Sequence, residues 1–272
     1  MQNFRDLVLA LRYLELDGSR PVMVHASLSA FGYVRGGAEA VLGALFGHFN
    51  SVVMPAFTYK TMIVPESGPP NNAVVYGSMS DSNKMAQFYH PDMPADKLIG
   101  VVAETMRRQK NAARSHHPIL SFSGVNAQQF LDKQTLEAPF APIAALADAD
   151  AWVLLLGVPH SSNTSIHLGE MLAGRKTFVR WALTTDRVIE CPSYPSCSDG
   201  FDVIDDYITN FVREVEVGET VVQAMPMRRL VKTARERVEA APFFMLCDRP
   251  ECPRCRAVRE GLKEKAAGEQ VE

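Results

Sequence analysis

Three short runs, Pro21-Val-Met-Val24, Ser51-Val-Val-Met54 and Ala151 to Val158, constrain the fold of this chain most, because they are apolar with almost no polar alternation. A strand with one wet face alternates apolar and polar residues, whereas a strand covered on both faces reads as continuously apolar. Helical patterns surround these runs at about 4–15, 37–48, 94–109 and 141–147. Strands alternating with helices predict an α/β protein, a mixed and largely buried β-sheet flanked by helices. With 272 residues, 47% of them hydrophobic, the chain can bury a core large enough for one large domain or two intimately packed ones.

Beyond residue 184 the character changes. A strand or hairpin, a loop from Cys191 to Gly200 and two amphipathic helices at about 202–214 and 227–240 are expected. The segment from Thr61 to Asp81 is rich in Pro, Gly, Asn and Ser and lacks periodicity, which predicts a binding loop within the wider stretch 60–93. The end of the chain, 257–272, reads as a charged tail.

Charge narrows the function classes. Lys and Arg number 28 and Asp and Glu 31, mixed along the chain to a net charge of −3, which leaves no electrostatic footprint for nucleic acid or an anionic membrane. No apolar run is long enough to span a bilayer and the first residues lack a signal-peptide core, so the expectation is a cytoplasmic protein. Five cysteines, an odd number, argue against a secreted disulfide framework. Cys247, Cys252 and Cys255 form Cys-x4-Cys-x2-Cys, and Cys191 and Cys197 bracket a Pro-rich loop, so four thiolates could meet around zinc. The single Cys-x2-Cys has no partner pair at standard spacing, so structural zinc is not favoured and reduced thiols on a surface tail are expected.

Three segments carry candidate chemistry. In Thr164-Ser-Ile-His-Leu-Gly-Glu170, a helical turn would put His167 and Glu170 on one face, where the carboxylate accepts the imidazole N–H and raises its basicity. A solvated helix face fits that spacing equally well. Asn163 and Thr164 are suited to cap the helix, leaving free backbone N–H groups near His167 for an oxyanion. The second segment runs from His25 through Ser27, Leu28, Ser29, Arg35, Gly36 and Gly37 into a helical pattern. Small residues before a helix start suit an anionic group, with Arg35 as a direct contact, although an ordinary strand-to-helix turn with a core His25 reads the same way. The third is Arg114-Ser-His-His-Pro118, a rigid loop in which Arg114 and Ser115 could hold a phosphate or carboxylate, or Arg114 could pair with Glu104.

Taken in order, these segments resemble the aminoglycoside 3-N-acetyltransferases, the antibiotic N-acetyltransferase family. The resemblance rests on His25 to Ala38, Met54-Pro-Ala-Phe57, Gly100 to Arg107, Arg114 to Ser121 and Asn163 to Glu170, and covers about residues 5–245. It implies an antibiotic N-acetyltransferase-like domain over 1–256, with a core of about 5–184 and a divergent C-terminal part of about 185–256. It also implies acetyl transfer from acetyl-coenzyme A to the 3-amino group of a deoxystreptamine aminoglycoside, giving antibiotic resistance, by a monomer or homodimer.

Carried over by position, His167 would be the general base and Glu170 its orienting carboxylate, with His25 near the reacting centre. Ser27, Leu28, Ser29, Arg35, Gly36, Gly37, Arg114, Ser115 and Thr164 would form the coenzyme site, where the Thr164 hydroxyl or the amides of the 27–37 loop could hold the oxyanion. The cysteines fall outside every matched segment, so direct transfer is expected rather than a Cys thioester. A polycationic acceptor calls for carboxylates, and Asp186, Glu190 and Asp202, with Asp205 and Asp206, supply a cluster. Ala26, Ala56 and Ala141 depart from the hydroxyl residues usual in the family and put coenzyme affinity in question, while the 60–93 loop leaves the acceptor open. The alternatives are a same-fold acyltransferase for another amine, such as an amino sugar or biosynthetic intermediate, and a zinc-binding protein using the cysteines or His25, His117, His167 and Glu170.

Overall fold

A computed structural model describes residues 1–77 and 81–268. The apolar runs become strands β1 (Val22–Ala26), β2 (Val52–Pro55) and, far along the chain, Trp152–Leu156. Around and between them lie helices α1 (Phe4–Tyr13) and α2 (Gly37–His48), the short β3 (Met62–Ile63) and α3 (Asp81–Met85), α4 (Val101–Arg107), strands β4 (Ala112–Arg114) and β5 (Phe122–Val125), and helices α5 (Gln128–Leu131) and α6 (Ala141–Asp148). Trp152–Leu156 is then β6. It is followed by α7 (Ser165–Leu172), β7 (Phe178–Leu183), β8 (Val188–Tyr194), α8 (Asp205–Ile208), β9 (Arg213–Val217), β10 (Thr220–Pro226), α9 (Met227–Ala240) and α10 (Pro253–Gly268).

Seven strands form a mixed sheet in the order β4-β5-β2-β1-β6-β10-β9. Only the centre is parallel: β1 pairs with β2 and with β6, Val22 lying opposite Trp152 and His25 opposite Leu155. β5 and β10 flank this centre antiparallel. Period-two alternation divides the central residues between two cores. Val22, Val24, Val52 and Leu154 pack against Leu7, Leu11, Val41, Leu45 and Met106 of α1, α2 and α4. Met23, Val53, Val153 and Leu155 face Ile143, Ile166 and Leu230 of α6, α7 and α9. His25 follows Met23 by two and therefore points to the α7 side. The carboxyl ends of β1, β2 and β6 open at one edge, where ligands of open α/β sheets bind.

A smaller antiparallel sheet, β3-β7-β8, is built from a hairpin that begins at Phe178, ahead of the strand or hairpin expected beyond residue 184, and from the start of the 60–93 loop. Residues 78–80 of that loop and 269–272 of the charged tail lie outside the described residues. Within the stretch read as a tail, α10 buries Ala257 and Val258.

Two helix expectations are corrected. The pattern over 94–109 yields only α4, because Gly100 at φ 92° separates it from a 3-10 turn at Lys97–Ile99. The pattern over 202–214 is not one helix: a 3-10 turn at Phe201–Ile204 and the single turn α8 end before β9, and Gly218 at φ 64° turns β9 into β10. The alternation Arg213-Glu-Val-Glu-Val217 carries that strand signal. The expectation of surface thiols is also corrected, since all five cysteines are buried. Among the described residues no helix is long and apolar enough to cross a membrane.

Helix α7 lies on α9 so closely that a Cβ at Gly169 would stand 2.6 Å from Ala234 Cβ and 2.7 Å from the Val231 carbonyl oxygen. Backbone cannot yield as a flexible side chain does, so Gly169→Ala is expected to destabilise the protein by about 1–3 kcal/mol through overpacking. Urea denaturation of the variant against the parent protein measures it, and an unchanged midpoint would refute this packing.

Candidate active site

Three connections meet at the carboxyl edge of the parallel strands. After β1 the chain enters a 3-10 turn at Leu28–Phe31, after β2 it runs through Phe57 and Tyr59, and after β6 it makes a second 3-10 turn at His160–Ser162 before α7. Together with the loop after β8 they enclose a cleft of about 1260 Å³, lined among others by His25, Ser27, Ser29, Tyr59, Thr164, His167, Tyr194, Ser196 and Arg254. Single-ligand pockets commonly measure roughly 300–1,000 Å³, so this cleft is larger than one small ligand requires.

His167 and Glu170 meet as their spacing predicts. His167 Nδ1 lies 2.9 Å from Glu170 Oε2 within the first turns of α7, and both side chains are buried. Because Nδ1 is taken by the carboxylate, Nε2 is the ring nitrogen left for the cleft. The imidazole is clamped by Phe140, stacked at 5.8 Å, and by Phe201, edge-on at 4.7 Å. Glu170 has two further partners with no sequence signature. Ser196 Oγ donates to Oε2 at 2.7 Å, and Arg175 Nε lies 3.1 Å from Oε1 in a buried ion pair. Arg175 is itself fixed by donating to the carbonyls of Pro242 and Phe244.

The expected free amides at the start of α7 are used up. Ser165 N–H donates to Asn163 Oδ1, Ile166 N–H to the Asn163 carbonyl and His167 N–H to that of Thr164. Thr164 makes no side-chain cap bond, and its nearly buried side chain faces the cleft. Asn163 also bonds His160 Nδ1 at 3.2 Å, while His160 Nε2 meets Asp205 at 3.0 Å and Asp202 accepts the Ser161 N–H. His160, unremarked in the sequence, thus holds the turn that presents α7.

The other predicted residues divide sharply. Ser27, Leu28 and Ser29 line the cleft, with the two serine hydroxyls 3.1 Å apart. Arg35, Gly36 and Gly37 lie outside its lining, Arg35 being exposed. Arg114 and Ser115 are also outside it, because their polar atoms are spent on the fold. The guanidinium donates to Ser121 Oγ and to the carbonyls of Pro91, Met93 and Ala56, and Ser115 Oγ accepts the Phe122 N–H. Glu104 pairs with Arg107 instead. Asp186 sits in the β7–β8 turn and Glu190 on the exposed side of β8, so neither lines the cleft. Lys97 and Arg254 supply its cations, and among the described residues no Asp or Glu lines it.

His25 is buried with Nε2 unpartnered and borders the cleft. Desolvation, with a smaller contribution from His160, pushes its imidazole down to about 3. Desolvation also lowers His117 to about 4, and its Nδ1 accepts the N–H groups of Ile119 and Leu120. Both rings are neutral in the folded protein near neutral pH, whereas the unfolded chain protonates them below about 6.5. Their contribution to stability is therefore complete above that pH and is lost as pH falls toward 4 and then 3. His117→Asn, which keeps an acceptor near the Nδ1 position, is expected to flatten this acid loss in urea titrations between pH 6.5 and 4. An unchanged slope would remove His117 from the account.

Residues 23–239 match the family model for aminoglycoside 3-N-acetyltransferase. Aminoglycoside N(3)-acetyltransferase VIII of Streptomyces fradiae is 33% identical over 175 residues, 61% of this chain and 60% of that one. The aligned stretch spans about three fifths of the length of the curated relatives it matches. The fold is similar to that of the aminoglycoside acetyltransferase AAC(3)-IVa apoenzyme, with a TM-score of 0.77 at 24% identity, covering 95% of this chain and 97% of that one. It is also similar to AAC-IIIb in a binary complex with CoASH, with a TM-score of 0.71 at 21% identity, covering 88% of this chain and 96% of that one. A family match over most of the chain, together with this fold, means that the chain belongs to the aminoglycoside 3-N-acetyltransferase family.

Proposed function

We propose that this protein transfers the acetyl group of acetyl-coenzyme A directly to the 3-amino group of a 2-deoxystreptamine aminoglycoside, conferring resistance, with His167 as general base. The observation that carries this reading is the His167–Glu170 pair, locked through Nδ1 with Nε2 left toward a cleft larger than one small ligand requires. An ammonium must lose a proton before its nitrogen can attack a thioester. In this reading His167 Nε2 takes that proton directly or through water, and Glu170 stabilises the resulting imidazolium. The nitrogen bonds to the acetyl carbon, negative charge collects on the carbonyl oxygen, and the carbon–sulfur bond then breaks. The departing thiolate recovers the proton from His167, and the second proton that the nitrogen sheds as it becomes an amide passes to solvent.

The Thr164 hydroxyl and the amides of Leu28 and Ser29, which open a one-turn helix and have no acceptor within it, are the donors proposed for that oxygen. Lys97 and Arg254 suit the phosphates of coenzyme A better than the residues expected from sequence, since they line the cleft and Arg35 and Arg114 do not. His25, kept neutral, borders the same space. The AAC-IIIb complex with CoASH supports a coenzyme in this fold. The activity belongs where acetyl-CoA is made, in the cytoplasm.

One observation favours a second reading, transfer to a different amine. A polycation is best held by carboxylates, and no described cleft-lining residue carries one. Thiol release from acetyl-CoA, assayed with an aminoglycoside panel and with simple amino sugars, separates the two. Turnover of gentamicin- or kanamycin-type acceptors supports the first reading, and turnover of amino sugars alone supports the second. In either case His167→Ala is expected to lower kcat by about 10²–10⁴-fold at matched folding. Full activity in that variant would overturn the assignment of the base.

A further inference from the structure

Four cysteines that the proposed chemistry leaves unused converge on one point. The sulfur atoms of Cys197, Cys247, Cys252 and Cys255 all lie within 4.8 Å of one another, and all four residues are buried. The partner missing from the Cys-x4-Cys-x2-Cys stretch is supplied from 50 residues upstream, by the loop after β8. Cys191 stands apart from the group. Zinc bound by four thiolates has Zn–S bonds of about 2.3 Å, hence a tetrahedron with edges of about 3.8 Å. The sulfurs therefore need to close by no more than about 1 Å to reach that geometry.

The surroundings suit thiolates. The backbone N–H of Asp199 is directed at the Cys197 sulfur, that of Arg249 at Cys247 and that of Cys247 at Cys255. Such donors orient and stabilise sulfur ligands. The Arg249 guanidinium lies 3.9 Å from Cys197 Sγ and pairs with Asp199, which places positive charge beside the cluster. The two ligand-bearing segments approach so closely that a Cβ on Gly200 would meet the Met245 carbonyl oxygen at 2.6 Å.

We infer that Cys197, Cys247, Cys252 and Cys255 form a structural zinc site of four thiolates. Soft sulfur in a set of four selects zinc over magnesium or calcium, and burial of all four ligands leaves no open position for catalysis. The site has a structural consequence. It ties the 247–255 segment to the loop whose Ser196 hydroxyl holds Glu170, and Arg254, beside Cys255, donates to the Ser196 carbonyl at 2.9 Å. Zinc would therefore fix the cleft wall that orients the His167 partner. This consequence rests on the reading of His167 as base, whereas the metal site does not.

The test is the metal content of the untagged full chain, purified from zinc-supplemented cells, with zinc K-edge X-ray absorption on the same sample. One zinc per chain with four sulfur neighbours at about 2.3 Å is the expected result. Substoichiometric zinc, iron in its place, nitrogen or oxygen in the first shell, or recovery of these cysteines as disulfides would each overturn the site. Cys252→Ser is expected to lose zinc and lower Tm, and Cys191→Ser to retain zinc. If Cys252→Ser does not fold, the metal content and absorption spectrum of the parent protein still decide. These readouts do not depend on turnover, so a failure of the acetyltransferase reading leaves them intact.

Discussion

The carboxylate of Glu170 is an anion taken almost wholly out of water, and the architecture of the site follows from what is needed to hold it there. A buried charge is tolerated only when paired and hydrogen-bonded. Glu170 meets that condition with three side chains from separate places: His167 one turn earlier in its own helix, Ser196 from the loop after β8, and Arg175 just beyond the helix. Arg175 in turn depends on the carbonyls of Pro242 and Phe244, close to the chain end. The proposed base is thus assembled only when the C-terminal part has folded back over the sheet, although its two defining residues are three positions apart.

The sheet explains why these parts can meet. Parallel pairing of β1 with β2 and β6 brings the connections from three distant stretches of chain to one edge, and the antiparallel β10 and β5 close the sides. Both faces of the central strands are covered, so the polar residues at their carboxyl ends stand at the rim of an apolar core. His25 shows the effect: on the α7 face, with its ring desolvated and an unpartnered nitrogen, it is held neutral where a surface histidine would titrate near neutrality. The cluster of four thiols adds a second constraint on the same region, since the loop carrying Cys197 also carries Ser196.

Local signals were readable because they depend on near neighbours. The apolar β1, β2 and β6, the amphipathic α1 and α9, and the His167–Glu170 spacing all report a period along the chain. The helix expected over 202–214 failed because tertiary pairing to β10 claimed Arg213–Val217 as a strand. Arg114 invited an anion-site reading, since no motif records that its guanidinium is consumed by Ser121 and three backbone carbonyls. His160, Ser196, Arg175 and Arg254 were illegible as site residues because their roles come from contacts across many tens of positions or from turns without a signature.

The sequence by itself determined the α/β class and the buried central strands and placed His167 and Glu170 one helical turn apart, because hydrophobic period and helical spacing are short-range properties. Only the tertiary structure decided which loops line the cleft, that the predicted carboxylates Asp186 and Glu190 stand away from it, and that four cysteines 50 or more positions apart at their extremes share one buried point. Those facts depend on which distant segments the sheet brings together, and pairing between strands leaves no local trace in the order of residues along one of them.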